Sequence, residues 1–129
     1  MSQMTFRQAV EGKRQEDLIE VLAPDVVFYP PGFPEPARAG NEGTSRVLAT
    51  ALSIFDELRY TDELTGDGVQ ALFAEGKLAG VDFNLVDFLR FDEDGKVSEL
   101  YILIRPSTVA EAMPEAIRQR MADSGGMPG

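Results

Sequence analysis

The chain has 129 residues, with 22 acidic against 12 basic side chains, a formal charge of −10, and neither histidine nor cysteine. At this length one hydrophobic core is expected, and the missing residue types exclude disulfides, thiolate metal sites, cysteine nucleophiles and histidine general bases. The acidic balance leaves no basic field for nucleic acid or an anionic membrane surface, so neither is an expected partner.

Met1 to Gln15 has no apolar run behind a basic start, and the longest wholly apolar run, Leu100 to Ile104, is far short of a span. A cytoplasmic protein is expected. Phe6, Val10, Leu18, Ile19 and Leu22 recur at helical spacing with an interruption at Gly12-Lys13. This predicts two short helices, or one broken helix, ending at Pro24. Asp25 to Tyr29 reads as a strand, and the prolines that close it, Pro30-Pro31, confine it to a sheet edge. Pro30 to Gly43, with four prolines and three glycines, is a loop.

Asn41 is the predicted N-cap of a helix whose inward positions are Val47, Leu48, Ala51, Leu52 and Phe55. Strands follow over Leu58 to Leu64, Val69 to Leu78, Val81 to Phe91 and Val97 to Arg105. They are separated by the turn sequences Thr65-Gly66-Asp67-Gly68, Ala79-Gly80 and Asp92-Glu93-Asp94-Gly95. The last of these lacks the ligand positions of a calcium loop and reads as a hairpin turn. Thr108 with Glu111 forms a capping-box pattern, and Val109, Ala112, Met113, Ala116, Ile117 and Met121 predict a terminal amphipathic helix broken before Pro114. Residues 1–122 form one expected domain, and residues 123–129, rich in glycine, a mobile tail.

Helices at the front followed by consecutive hairpins predict an α+β fold in which helices cover one face of a curved, mainly antiparallel sheet. Alternation places Leu85, Asp87, Leu89 and Phe91, with Leu100, Ile102 and Ile104, on the covered face. The opposite face carries Val86, Phe88, Tyr101 and Leu103, an apolar patch rimmed by Asn84, Arg90, Glu99 and Arg105. A homodimer through that face is expected.

Asp17 to Phe28, Gly40-Asn41-Glu42-Gly43, Val86 to Val97 and Ile104-Arg105-Pro106 together resemble the nuclear transport factor 2-like superfamily, in its SnoaL-like bacterial branch. The resemblance spans Phe6 to about Met121. It implies a cone-shaped α+β roll in which three helices close a highly curved sheet around an internal apolar pocket, commonly as a dimer. The superfamily hosts steroid isomerases, polyketide cyclases, dehydratases and epoxide hydrolases beside many binding proteins, so membership alone selects no activity. Set against the isomerase branch, the general-base position falls on Pro30 and the oxyanion-hole tyrosine on Phe6. Asp87 alone matches, at the second oxyanion-hole position.

Asp87 is the candidate catalytic residue, a carboxyl set among Leu85, Leu89, Phe91, Leu100 and Ile102, where burial requires a partner or a raised pKa. The ligand-lining expectation starts from Phe6, Phe28, Tyr29, Phe55 and Tyr60, with the two tyrosines at the pocket mouth. Leu85, Leu89, Leu100 and Ile102 complete it, and Leu72 and Phe83 line or fill the core. Arg38, the one cation of the proline-rich loop, is a candidate clamp for an anionic group. No pattern requires a metal or cofactor. Two readings stay open. In one, the pocket binds a small apolar organic molecule and, if catalytic, uses Asp87 in an isomerase-, dehydratase- or cyclase-type acid-base reaction. In the other, the cavity is filled and the chain is a dimerisation or interaction module.

Overall fold

The structure, a computed structural model, describes residues 4–123. Thr5 opens it with a reciprocal capping box: Gln8 N donates to Thr5 Oγ1 at 3.1 Å and Thr5 N to Gln8 Oε1 at 2.9 Å. Helix α1 (Phe6–Gly12) ends where Lys13 adopts the left-handed conformation, and α2 (Gln15–Val21) follows at once, so the Gly12-Lys13 interruption separates two helices. The second stops earlier than its apolar spacing suggests. Leu22, Ala23 and Pro24 already belong to strand β1 (Leu22–Tyr29). Proline is accommodated because β1 is an edge strand and its pairing shifts register between Leu22 and Val27, leaving Pro24 inside the bulge.

The proline-rich loop does not leave β1 entirely. Phe28 N donates to Ala37 O at 3.0 Å and Ala37 N to Phe28 O at 2.7 Å, pinning the loop along that edge. Helix α3 (Gly40–Ile54) begins one residue before the expected cap: Ala39 is the N-cap and Asn41 is already helical. Asn41 Nδ2 instead donates to Ile19 O at 3.4 Å, tying α3 to α2. Phe55, expected to be inward on this helix, is the first residue of β2 (Phe55–Thr65), because the chain turns extended at Phe55 without a loop.

Strands β3 (Val69–Leu78), β4 (Val81–Phe91) and β5 (Val97–Arg105) follow as antiparallel neighbours, and β1 joins β5 in parallel. The spatial order is β1-β5-β4-β3-β2, so the two edge strands do not meet and the five-stranded sheet is an open roll, not a closed barrel. The turns are as their sequences predict. Ala79 and Gly80 both take positive φ, and Asp92 Oδ1 accepts from Asp94 N and Lys96 N, each at 2.9 Å.

The last helix, α4 (Ser107–Asp123), differs from expectation twice. It starts before Thr108, with Val109 N donating to Pro106 O at 3.0 Å in place of a threonine capping box. It also runs through Pro114 without ending there. Proline cannot donate to Ala110 O one turn earlier, and Gly32 of the proline-rich loop packs against that carbonyl. A Cβ on Gly32 would lie 2.7 Å from Ala110 O, and Gly32 has φ of +84°, so both the close approach and the backbone conformation require glycine. Asp123, placed in the expected tail, ends α4; the rest of that tail lies outside the described residues.

Buried side chains form two clusters. One joins α1, α2, α3 and β1 to Leu72, Leu89, Val97 and Leu100 of the sheet. The other joins Ala51, Ala74, Leu78, Phe83, Leu85, Val109 and Met113.

Candidate functional site

Between these clusters lies a cavity of about 170 Å³, bounded by α1, α3, α4, the loop after β1 and the inner faces of β2, β4 and β5. Two irregular elements shape it. In β2 the pairing shifts register between Asp56 and Arg59, with Glu57 at positive φ, so strict alternation is broken. Phe55, Leu58 and Tyr60 consequently all reach the cavity from one strand. In the loop, the seat of Gly32 on α4 brings Pro30, Pro31 and the exposed Phe33 into the lining together with Met113, Pro114 and Ile117.

Apart from Asp87 and the hydroxyl of Tyr60, the lining side chains are apolar. Asp87 sits mid-strand on β4, between Leu72 of β3 and Ile102 of β5, and is 4% exposed. Tyr60 Oη donates to Asp87 Oδ2 at 2.7 Å, the one hydrogen bond to this carboxyl among the described residues. Burial pushes the Asp87 carboxyl up to about 7, while the Tyr60 bond, which favours the charged form, pulls it back in part. Burial and the neighbouring Asp87 charge hold the Tyr60 hydroxyl well above the ordinary tyrosine range, so it stays protonated and remains a donor. The Arg7 guanidinium lies over the Tyr60 ring, 5.4 Å from its centre.

A carboxyl that titrates near neutrality in an apolar pocket has two modes of action. Protonated, it donates to a ligand oxygen; ionised, it accepts a proton or a hydrogen bond. Phe6 and Pro30, the positions at which the resemblance implied the isomerase tyrosine and base, both line the cavity and bring no polar side-chain atom to it.

The structure gathers Phe6, Phe28, Phe55, Tyr60, Leu85, Asp87 and Ile102 around the cavity. Three expected lining residues are elsewhere. Tyr29 lies at the end of β1 with its ring stacked on Tyr101 at 4.0 Å, toward the opposite face of the sheet. Leu89 and Leu100 are register partners sealed into the first core cluster, too deep to meet a ligand. Arg38 is exposed and outside the lining. Leu72 fills the first core cluster, and Phe83 packs against Phe55 with ring centres 4.7 Å apart. Among the lining residues that the sequence expectation did not include are Pro31 and Phe33 of the loop and the α4 set, Met113, Pro114 and Ile117. A lone aromatic in a proline loop and an apolar helix stripe were the available signals.

On the other face, Phe88 meets Tyr101 edge-on at 5.9 Å, Arg90 lies 5.3 Å over Phe88 and pairs with Glu99 at 3.3 Å, and Leu103 is 62% exposed. Among the described residues no group of three or more acidic side chains could hold a metal ion, and no helix is long and apolar enough to cross a membrane.

Solved structures share this architecture. An uncharacterised bacterial protein with a cystatin-like fold from Silicibacter pomeroyi is 23% identical, with a TM-score of 0.85 over 93% of this chain and 84% of that one. A steroid delta-isomerase from Pseudomonas aeruginosa is 26% identical, with a TM-score of 0.84 over 95% and 90% of the two chains. A protein from Jannaschia named as a candidate SnoaL-like polyketide cyclase is 14% identical, with a TM-score of 0.68 over 84% and 85%, a likeness of fold alone. No curated protein sequence matches the chain. The profile of the SnoaL-like domain matches residues 4–100, and the chain belongs to the SnoaL-like domain family of the nuclear transport factor 2-like superfamily.

Proposed function

We propose that this protein binds a small apolar organic molecule whose single polar group meets Asp87 at the floor of the pocket. The observation that carries the reading is the Tyr60–Asp87 pair, a buried, half-satisfied carboxyl in a cavity otherwise lined by hydrocarbon. Structural carboxylates in cores usually accept several hydrogen bonds, whereas this one has an oxygen to spare. The cavity is open space, which favours ligand binding over an interaction module with a filled interior.

Size narrows the ligand. An apolar protein cavity of about 150 Å³ accommodates benzene. The 170 Å³ here therefore suits one ring, and a larger molecule has to extend past Phe33 at the mouth. If the site is catalytic, proton transfer by Asp87 at a carbonyl or hydroxyl oxygen supports an isomerisation, dehydration or cyclisation. Phe6 and Pro30 supply neither a second donor nor a second base, so substrate binding and a modest rate are the expectation. On the opposite face, Val86, Phe88, Tyr101 and Leu103 support a homodimer.

The test is an NMR titration with cyclohexanone and with methylcyclohexane at pH 6. Saturable shifts at Asp87 and Tyr60, with the ketone bound roughly tenfold tighter, are expected, since one buried hydrogen bond is worth about 1–2 kcal/mol. Asp87→Leu should erase that preference. Equal binding of the two molecules, or no saturation with either, overturns the proposal.

A further inference from the structure

Tyr60 can act on Asp87 only if its ring is held in one orientation, and its own strand is a weak support. β2 is an edge strand, largely exposed, and its ladder shifts register on both sides of Arg59-Tyr60. The ring packs against both core clusters and is also covered by Arg7 of α1, whose guanidinium carbon lies 5.4 Å from the ring centre. Arg7 is fixed in turn from two directions: its Nε donates to Glu11 at 3.1 Å and its Nη1 to Glu63 at 3.2 Å. Glu11 is one turn along α1, and Glu63 is on β2 itself, so the clamp ties the helix to the strand that carries Tyr60.

We propose that Arg7 is a positioning residue for the pocket: by stacking on Tyr60 it aims the hydroxyl at Asp87 and so sets the proton affinity of the pocket acid from the protein surface. The inference rests on the reading above only in taking Asp87 as the polar group of the site. Among the described residues, no titratable side chain other than Asp87 and Tyr60 lines the cavity. The lining contributions of α3 and α4 are apolar, as are Leu72 and Ile102 on the neighbouring strands. The charged groups grouped around the Tyr60 ring are Arg7, Glu11 and Glu63.

The experiment is a carbon-detected NMR titration of the Asp87 carboxyl in the full chain, without ligand, for the natural protein, Arg7→Gln, Arg7→Lys, Tyr60→Phe and the double variant Arg7→Gln/Tyr60→Phe. Tyr60→Phe removes the bond that favours the charged carboxylate and raises the midpoint. Arg7→Gln is expected to raise it too, by at least about threefold in proton affinity, which is roughly half a pH unit. Arg7→Lys keeps a cation over the ring and should stay near the natural value. The double variant should match Tyr60→Phe, because an effect exerted through Tyr60 vanishes with its hydroxyl. Arg7→Met, which keeps the apolar stem, stands in if the glutamine variant does not fold.

An Asp87 midpoint unmoved by Arg7→Gln overturns the proposal. So does an Arg7 effect that adds in full to that of Tyr60→Phe, since that would be direct charge interaction without positioning. A pocket that takes no ketone leaves these midpoints as they are, so failure of the binding reading and failure of the Arg7 clamp are told apart.

Discussion

A carboxyl whose proton affinity rises on folding makes the native state hold a proton that the unfolded chain has released. For Asp87 this window runs from its ordinary 3.8 up to about 7. Across it the native chain binds more protons than the unfolded one, so the Asp87 contribution to stability falls as pH rises, opposite to a salt-bridged carboxylate. The limit is of the order of 4 kcal/mol by alkaline pH. Asp87→Asn, neutral at every pH, should therefore match the natural protein below the ordinary 3.8 of the carboxyl and exceed it at pH 8, as measured by urea unfolding; a difference that stays constant with pH refutes this. Asp87 was legible in the sequence because alternation around Leu85 and Leu89 fixes its face. Its partner was not, because the Tyr60 side chain is aimed by a register shift at Glu57 that no local pattern announces. Tyr29 was misplaced for the reverse reason: its ring follows Tyr101 across the sheet, a pairing that depends on β1 joining β5 in parallel.

At the level of elements, the loop after β1 and helix α4 build the mouth together, through Gly32 seated on Ala110 O beside Pro114. Gly32→Ala places a Cβ where the carbonyl stands and forces an L residue into a left-handed conformation. A loss of roughly 2 kcal/mol or more is expected in thermal unfolding, with weakened ketone binding as Phe33 moves off the mouth. Unchanged melting and binding would show that the loop does not need this seat. Strand centres and turns were legible because alternation and glycine-containing dipeptides are local signals. Element ends were not. Phe55 passes straight from helix to strand, Pro24 sits in a bulge, and α4 continues through Pro114, none of which a local residue pattern announces.

For the whole molecule, the open sheet face is the surface through which the homodimer is proposed to form. Leu103, 62% exposed beside Val86 and near the Tyr29–Tyr101–Phe88 aromatic cluster, is the centre of that proposed two-fold contact. Light scattering at micromolar concentration should give twice the 14.1 kDa chain mass, and Leu103→Glu should return it to one chain. Because each chain carries −10, the pair repels itself, and added salt should tighten it by screening. A natural protein at the single-chain mass under both conditions refutes the dimer. The α+β class and the covered face follow from the order of helices and hairpins, which is sequence information. That β1 and β2 stay apart, leaving the roll open at the pocket, is a property of strand order and could be read only from the structure.

Some interior side chains hold the fold without touching the cavity, and others shape the cavity from its edge. Leu18, Leu22, Leu72, Leu89 and Leu100 are wholly buried and hold the helices to the sheet, away from the cavity wall. Phe33, Ile104 and Ile117 also face the cavity but are exposed or only partly buried, so a change in their size alters the shape of the space before it disturbs the packing beneath. A scaffold partitioned this way can exchange one guest molecule for another by a few substitutions around its rim while the foundation stays fixed.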